Sequence, residues 1–501
     1  MNALRTHAQQ FINSVTMYRL VVLVLGVISA AALVLSVAGV LSYSIGGLVL
    51  SLGIILGASY GGSRLFAYTF STKHNPESWL ITALILFLLL LPPHDLRGSI
   101  GIALAAFIAV GSKYLLAWRR RHIFNPAAIA LVIVGLIGIA HAGWWVATPP
   151  LLPFLLVGGG LVVWKIRRFA VVGTFFVVSL TTLAISALVH QQDVVTTLQS
   201  AITSYPLIFL GTIMLTEPLT MPPTRRWQFV YVILVGILAH AQLAWWLTPA
   251  LALCFGNLIA FATSQRQSIR LRLQEVRNLA PNTYEVLFEP LARYHWAPGQ
   301  YLELSLPHSK FDAHGTRRVF SIASTPASEV LRLGITHSEA ISTFKQALIH
   351  TPPGTELTAT YIGGDFTLSQ SGRPFVFLAG GIGLTPFRAL LQQLIEQHDK
   401  RPVTLFYCAR TPDALVWSDF LAHATQAIPL HVVPVVSQPD TKWRGETGRL
   451  SSEILDRAQL DLIHSDIYVS GPPPFVSSAL DLLHAKGVPR QQIKTDYFSG
   501  Y

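Results

Sequence analysis

The chain reads as a multi-span α-helical membrane unit followed by an antiparallel β-barrel and an α/β domain with a parallel sheet. Three observations in its 501 residues carry that reading. Residues 18–263 are a nearly unbroken succession of apolar spans, 268–371 alternate short strand-like runs with turns, and 374–501 alternate apolar runs with helical patterns. The expected domains are 1–265, 266–371 and 372–501. A hydrophobic fraction of 51% and a mean hydropathy of +0.49 average these unlike halves.

Charge separates them again. Fourteen Lys and Arg against four Asp and Glu precede Arg266, so +10 of the net +11 belongs to the first half. Basic loops in such a half report membrane orientation and give no reason to expect a nucleic-acid partner. Cys254 and Cys408 are far apart and lack a CxxC partner, so no disulfide framework, iron–sulfur cluster or zinc site is expected. The first apolar run, Leu20 to Leu41, is long enough to span, and no cleavage site follows it.

A span needs about 20 apolar residues. Ten candidates follow in order: 20–41, 43–60, 79–93, 98–117, 126–147, 150–164, 169–189, 203–222, 228–246 and 247–263. The even-numbered connections carry Arg64, Lys73, Arg119, Arg120, Arg121, Lys165, Arg167, Arg168, Arg225 and Arg226, and the odd-numbered ones only Arg97. That asymmetry predicts a multi-pass protein of the cytoplasmic (inner) membrane with both termini in the cytoplasm. Three polar breaks fall at the expected cytoplasmic ends: Asn75-Pro76-Glu77-Ser78, Arg121 to Pro126, and Thr216 to Arg226. Proline frees backbone groups that hydrocarbon cannot satisfy, so such breaks belong where protein buries them or a cavity receives them. Each also fits a helix cap at the interface. Asn125, Glu217 and Thr220 are the candidate ligand-binding residues there.

The Phe124-Asn125-Pro126-Ala127-Ala128 run and Leu215-Thr216-Glu217-Pro218-Leu219-Thr220 resemble the flavin-binding membrane subunits of the sodium-pumping NADH:quinone reductase and of the Rnf complex over roughly 60–265. The resemblance implies an inverted five-plus-five repeat, and the spans 79–93 and 206–223, both ending in Pro-Pro, sit five apart as it requires. It implies a flavin in the membrane unit. The covalent-flavin motif Ser/Thr-Gly-Ala-Thr is absent, which leaves noncovalent FMN or riboflavin, and Glu217 stands where that family usually has Asp.

In the second half, strand-like runs Tyr284–Glu289, Tyr301–Ser305, Val319–Ala323, Leu331–Thr336 and Glu356–Ala359 predict the barrel. Strands Phe375–Ala379, Val403–Cys408 and Ile467–Ser470 alternate with helices Pro386–Gln397, Val416–Thr425 and Pro474–Lys486, predicting the parallel sheet. Gly380-Gly381-Ile382-Gly383-Leu384-Thr385-Pro386 joins a strand to a helix, where small residues and the helix N-terminus suit a pyrophosphate. The landmarks run in the order of the ferredoxin–NADP reductase family, which this half resembles. They are Pro298-Gly299-Gln300-Tyr301, Arg318-Val319-Phe320-Ser321, Ile341-Ser342-Thr343, the glycine run, and Ser470-Gly471-Pro472. The resemblance implies FAD and NADH or NADPH. In it Arg318 forks the flavin pyrophosphate, Phe320 walls the isoalloxazine, and Ser321 bonds near its reactive nitrogen. Ser342 and Thr343 end a second phosphate motif that lacks its usual glycine. Ser470 replaces the usual cysteine beside the nicotinamide, and Tyr501 or Phe498 covers the flavin. Arg410 suits a 2′-phosphate but also occurs in NADH users.

The function expected is a membrane NAD(P)H-dependent flavoprotein oxidoreductase. It would pass electrons from cytoplasmic NAD(P)H through FAD and a membrane flavin to a quinone or an extracytoplasmic acceptor. A redox-driven sodium or proton transporter is the alternative that the inverted repeat permits. A haem-based transmembrane reductase needs histidine pairs near both faces, whereas His141, His190 and His240 all belong to the outer half.

Overall fold

The computed structural model describes residues 15–70, 76–118, 121–244, 246–263, 269–308, 316–337 and 342–497. The chain divides into two compact units, Met1–Gln267 and Ser268–Tyr501.

The amino-terminal unit is helical, with one short two-stranded ladder of β1 (Ala117–Trp118) and β2 (Arg121–His122). Five helices are long and apolar enough to cross a membrane: Met17–Val37, Ile45–Thr69, Leu96–Leu115, Pro149–Ile166 and Phe169–Val189. The pair Val194–Thr203 and Leu207–Met214 reaches span length only jointly, bent by 56°. Pro76–Leu89, Pro126–Leu136, Arg225–His240 and Pro249–Thr263 are shorter. The apolar runs thus appear as full-length and half-length helices, because proline and polar breaks cut some of them short of bilayer thickness. Thr82–Leu90 and Leu207–Leu215, from the two runs that end in Pro-Pro, are buried on every side. A helix apolar all round belongs in such a place. The first of these ends inside the protein, and its last carbonyls need partners. Trp145 Nε1 donates to Phe87 O (2.8 Å) and Leu90 O (2.9 Å), and the amides of Gly143 and Trp144 both donate to Leu89 O at 2.9 Å. Exposed large apolar side chains cluster in this unit, from Leu23 to Leu258, whereas the other unit exposes Val319 and Ile463 among its described residues.

The carboxyl-terminal unit has two sheets. The first is built from β3 (Ile269–Ala280), β4 (Thr283–Pro290), β5 (Tyr301–Ser305), β6 (Arg317–Ser321), β7 (Leu331–Thr336) and β8 (Glu356–Gly363). These form a six-stranded antiparallel barrel sheet in the order β6-β5-β8-β3-β4-β7. β3 lies outside the expected strands, because its alternation is broken by a bulge between Leu273 and Glu275. The second sheet is parallel and centres on β9 (Phe375–Gly380), β10 (Val403–Ala409) and β13 (Asp466–Gly471). β11 (Leu430–Val436), β12 (Glu446–Thr447) and β14 (Ile493–Tyr497) extend it beyond the expected three strands, in the order β12-β11-β10-β9-β13-β14. β14 takes in Asp496 and Tyr497, just ahead of the expected lid residues: it pairs in parallel with β13, placing Asp496 opposite Ser470.

Barrel and parallel sheet meet closely at Gly334 of β7. A Cβ there would lie 2.6 Å from Thr385 Oγ1 and 2.9 Å from Trp417 Cη2. Around this point Glu285, buried, accepts from Trp417 Nε1 (3.1 Å) and pairs with Arg332 (3.2 Å). Arg388 donates to Ala323 O at 2.8 Å and lies over Phe420 at 4.6 Å. Gly334→Val is expected to force these surfaces apart, at about 1–3 kcal/mol for an overpacked contact. Thermal unfolding of the carboxyl-terminal unit should show its transition lowered by several degrees, and an unchanged transition would refute the close docking.

Candidate functional site

Two polar sites emerge, one in each unit. In the carboxyl-terminal unit the Gly380–Gly383 run forms a tight turn from β9 into helix Leu384–Glu396. Gly381 has φ +56° with open space where a Cβ would point, so its backbone is left-handed and accessible, as an anion-binding turn requires. Gly383 packs against the Ser470 carbonyl and Gly471 Cα, leaving no room for a side chain. Thr385 and Pro386 are buried in the helix's first turn, and the Thr385 hydroxyl donates to Ile382 O at 2.6 Å. Thr385 therefore fastens the turn and packs on the barrel instead of facing a nucleotide. Pro472 caps helix Pro473–Ala485, which follows Gly471 directly.

Ser321, Ser470 and Asp496 converge. Ser321 Oγ donates to Asp496 Oδ2 at 2.8 Å. Ser470 is fully buried, and its hydroxyl has no partner. Burial pushes the Asp496 carboxyl up from 3.8 to about 6, against the opposing hydrogen bonds from Ser321 and the Tyr497 amide. Sequence reasoning misses Asp496: its strand lies within an aromatic tail, and its burial appears only when β14 joins the sheet. Tyr501 and Phe498 lie outside the described residues.

On the barrel, Arg318 is buried with its guanidinium 5.3 Å from the Phe344 ring centre. Phe320 also packs on Phe344, with centroids 6.0 Å apart, as part of the barrel core. This places Phe320 in the core and corrects the role of an aromatic wall. Lys345 joins Arg318: its Nζ donates to Thr336 O at 2.8 Å, and burial together with the Arg318 charge lowers it to about 8. Two close cations raise each other's energy, a cost that a bound anion removes. Ser342 caps helix Thr343–Ile349 by accepting from the Lys345 amide at 3.3 Å, and Thr343 Oγ1 meets His308 Nε2 at 3.2 Å. Tyr301 begins β5 opposite Ser321 and packs over Gly364. Arg410 is exposed beyond β10, its Nε donating to Gln438 Oε1 at 3.0 Å.

In the amino-terminal unit the sequence-selected residues also converge. Asn125 Nδ2 donates to Glu217 Oε2 at 2.8 Å, and Thr220 Oγ1 donates to the same oxygen at 3.0 Å. Asn257, fully buried and unforeseen, ties the group together: its Oδ1 accepts from the Asn125 amide (2.8 Å) and its Nδ2 donates to Thr220 O (3.1 Å). Asn125 also caps helix Pro126–Leu136 by accepting from Ala128 N at 3.0 Å. His122 Nε2 lies 3.7 Å from Glu217 Oε1.

Comparison with known proteins bears on the second unit. Residues 377–481 match the family model for the oxidoreductase NAD-binding domain. The reductase component of propane 2-monooxygenase from Rhodococcus jostii is 28% identical over 254 residues, 46% of this chain and 64% of that protein. An NAD(P)H-flavin reductase from Vibrio harveyi is 27% identical over 41% of this chain and 86% of its own length. A ferredoxin–NAD(P)(+) reductase from Metapseudomonas resinovorans is 37% identical over 27% of this chain and 41% of that protein. The chain thus spans under two thirds of the first of these relatives. The carboxyl-terminal unit is an oxidoreductase module with a ferredoxin reductase-like FAD/NAD-binding fold. Its residues fit the two groups: a glycine turn left open at Gly381, an orphaned buried hydroxyl at Ser470, and the Arg318–Lys345 pair.

Burial makes Asp496 a weaker acid in the folded chain than in the unfolded one. Between about pH 4 and 6 the folded chain holds a proton that an unfolded aspartate has released, so this contribution is full at acid pH and is lost as pH rises through 6. In urea unfolding of the carboxyl-terminal unit, Asp496→Asn should therefore gain stability relative to wild type on going from pH 4 to 7. A difference independent of pH would refute the assignment.

Proposed function

We propose that the protein is a membrane-bound NAD(P)H-dependent flavoprotein oxidoreductase. In this reading its carboxyl-terminal unit takes hydride from NAD(P)H onto FAD, and its amino-terminal unit carries the electrons to a quinone or an extracytoplasmic acceptor. The observation that carries the reading is the coexistence on one chain of an oxidoreductase module and an apolar helical unit with a built polar site at Asn125, Glu217, Thr220 and Asn257. Apolar side chains exposed over the helical unit suit a bilayer, and the basic asymmetry of its loops supports a cytoplasmic location for both termini. That location gives the module access to soluble nucleotides.

Each group of residues has a task. Arg318 and Lys345 hold the FAD pyrophosphate, and Ser321 orients the ring edge through a hydroxyl that Asp496 fixes. The Gly380–Gly383 turn and Gly471 admit the nicotinamide nucleotide, with Ser470 offering its free hydroxyl beside it. The bound groups supply the hydride and single-electron chemistry, and the protein orients them. The resemblance to the flavin-binding membrane subunits supports FMN or riboflavin, held noncovalently, at the Asn125–Glu217 site.

Mass spectrometry of flavins released from the purified full-length protein tests this. The expected result is FAD together with a second, noncovalent flavin, the second being lost in Asn125→Ala while FAD is kept. A protein with no flavin, even after supplementation, would refute the reading. Lys345→Gln should raise the FAD dissociation constant about tenfold, or ~1.4 kcal/mol, as read by flavin fluorescence; unchanged affinity would remove Lys345 from the site.

A further inference from the structure

Glu217 commits one carboxylate oxygen to the polar frame and turns the other toward an imidazole. Oε2 receives both fixed donors, Asn125 Nδ2 and Thr220 Oγ1. Oε1 faces His122 Nε2 across 3.7 Å, too far for a hydrogen bond, and Nε2 is buried with no hydrogen-bond partner. Leaving a buried polar atom in that condition is unfavourable. A movement of about 1 Å would close the gap to ordinary hydrogen-bond length, yet both sides are clamped. His122 stands opposite Ala117 in the ladder of β1 and β2, which the Ile123 amide prolongs by donating to Leu116 O at 3.1 Å. Glu217 is clamped through Asn125 and Thr220, which Asn257 holds in turn.

Other titratable groups stand near the pair. Lys113 of helix Leu96–Leu115 donates to Ser78 O and Ser78 Oγ, both at 2.8 Å. Tyr231 of helix Arg225–His240 points its hydroxyl at Leu215 O, 3.4 Å away. Cys254 of helix Pro249–Thr263 is a buried free thiol, and Arg121 precedes His122 on the ladder. The pair thus stands as a buried imidazole nitrogen facing a carboxylate oxygen across 3.7 Å.

We propose that His122 and Glu217 form a proton-delivering dyad for a quinone-class acceptor reduced by the amino-terminal unit; this rests on the electron-transfer reading above. NAD(P)H, oxidised to NAD(P)+ with release of one proton to the water, supplies the two electrons. As the quinone takes them, the Glu217 O–H bond breaks and a quinone O–H bond forms. The carboxylate regains its proton from the His122 imidazolium, which is recharged from the cytoplasmic side. Two such deliveries complete quinone plus two electrons plus two protons to quinol. An acid and a base that face each other inside an apolar unit suit proton delivery.

The test uses the full-length protein in lipid vesicles with NAD(P)H and a short-chain quinone, with ferricyanide reduction as the reference for the carboxyl-terminal unit. Relative to that reference, Glu217→Gln and His122→Gln should each lower quinone reduction at least tenfold, flatten its pH profile and remove its solvent isotope effect. Glu217→Asp should recover part of the rate. The reduced-minus-oxidised infrared spectrum should contain a carboxyl band that Glu217→Gln abolishes. Variants with wild-type relative rates and pH profiles, or an infrared spectrum in which the band survives, would overturn the dyad alone. A wild-type protein that reduces ferricyanide but no quinone would overturn the dyad together with the acceptor it presumes.

Discussion

A carboxylate inside an apolar helical unit must be satisfied by protein, and the Glu217 site shows what that requirement does to the chain around it. Its two donors come from Asn125, which caps one helix, and Thr220, in the turn before another. A third segment enters through Asn257 to bind both. Each of those segments must stop being helical, or expose a polar side chain, where hydrocarbon would penalise it. The prolines at 126, 218, 222 and 223 belong to the same breaks: Pro126 opens the helix that Asn125 caps, and the other three lie between the segment ending at Met214 and helix Arg225–His240. Half-length helices buried on every side follow from them.

The carboxyl-terminal unit depends on a different constraint, close approach. Gly383 lies where a side chain would overlap β13, and Gly334 lies where one would overlap Thr385 and Trp417. These contacts bring the barrel's Ser321 within 2.8 Å of Asp496 on the outermost strand of the parallel sheet. A serine on one sheet and an acid on the other thus form a single polar cluster, which neither sheet has alone. The buried Glu285, with Trp417 and Arg332 as partners, fixes the same junction. Such a buried ion pair stabilises little by itself, but removing one partner leaves an uncompensated charge. Its role is to set geometry.

Much of this was legible in the residues. The glycine run after an apolar strand, the Arg318–Ser321 segment and the Ser470–Pro472 turn announced the module, because glycine and serine at those spacings have few uses outside a nucleotide turn. Asn125, Glu217 and Thr220 stood out as polar groups among prolines in apolar sequence, and they do meet. What stayed hidden depends on long-range pairing. Asn257 is one asparagine in an apolar run, Lys345 one of many lysines, and Asp496 a residue before aromatic ones; each acquires meaning only beside a partner far away in sequence. Thr385 and Phe320 were misread in role for the converse reason. Motif position alone does not tell whether a side chain faces a ligand or the core.

The central claim is that reducing equivalents pass from the nucleotide module into the helical unit. It is tested most directly by comparing the full chain in sealed lipid vesicles with a fragment of residues 268–501, both given NAD(P)H and a quinone confined to the bilayer. The account predicts quinol formation by the full chain and none by the fragment, while both reduce a soluble dye. Equal quinol formation by the two, or none by either, would contradict it.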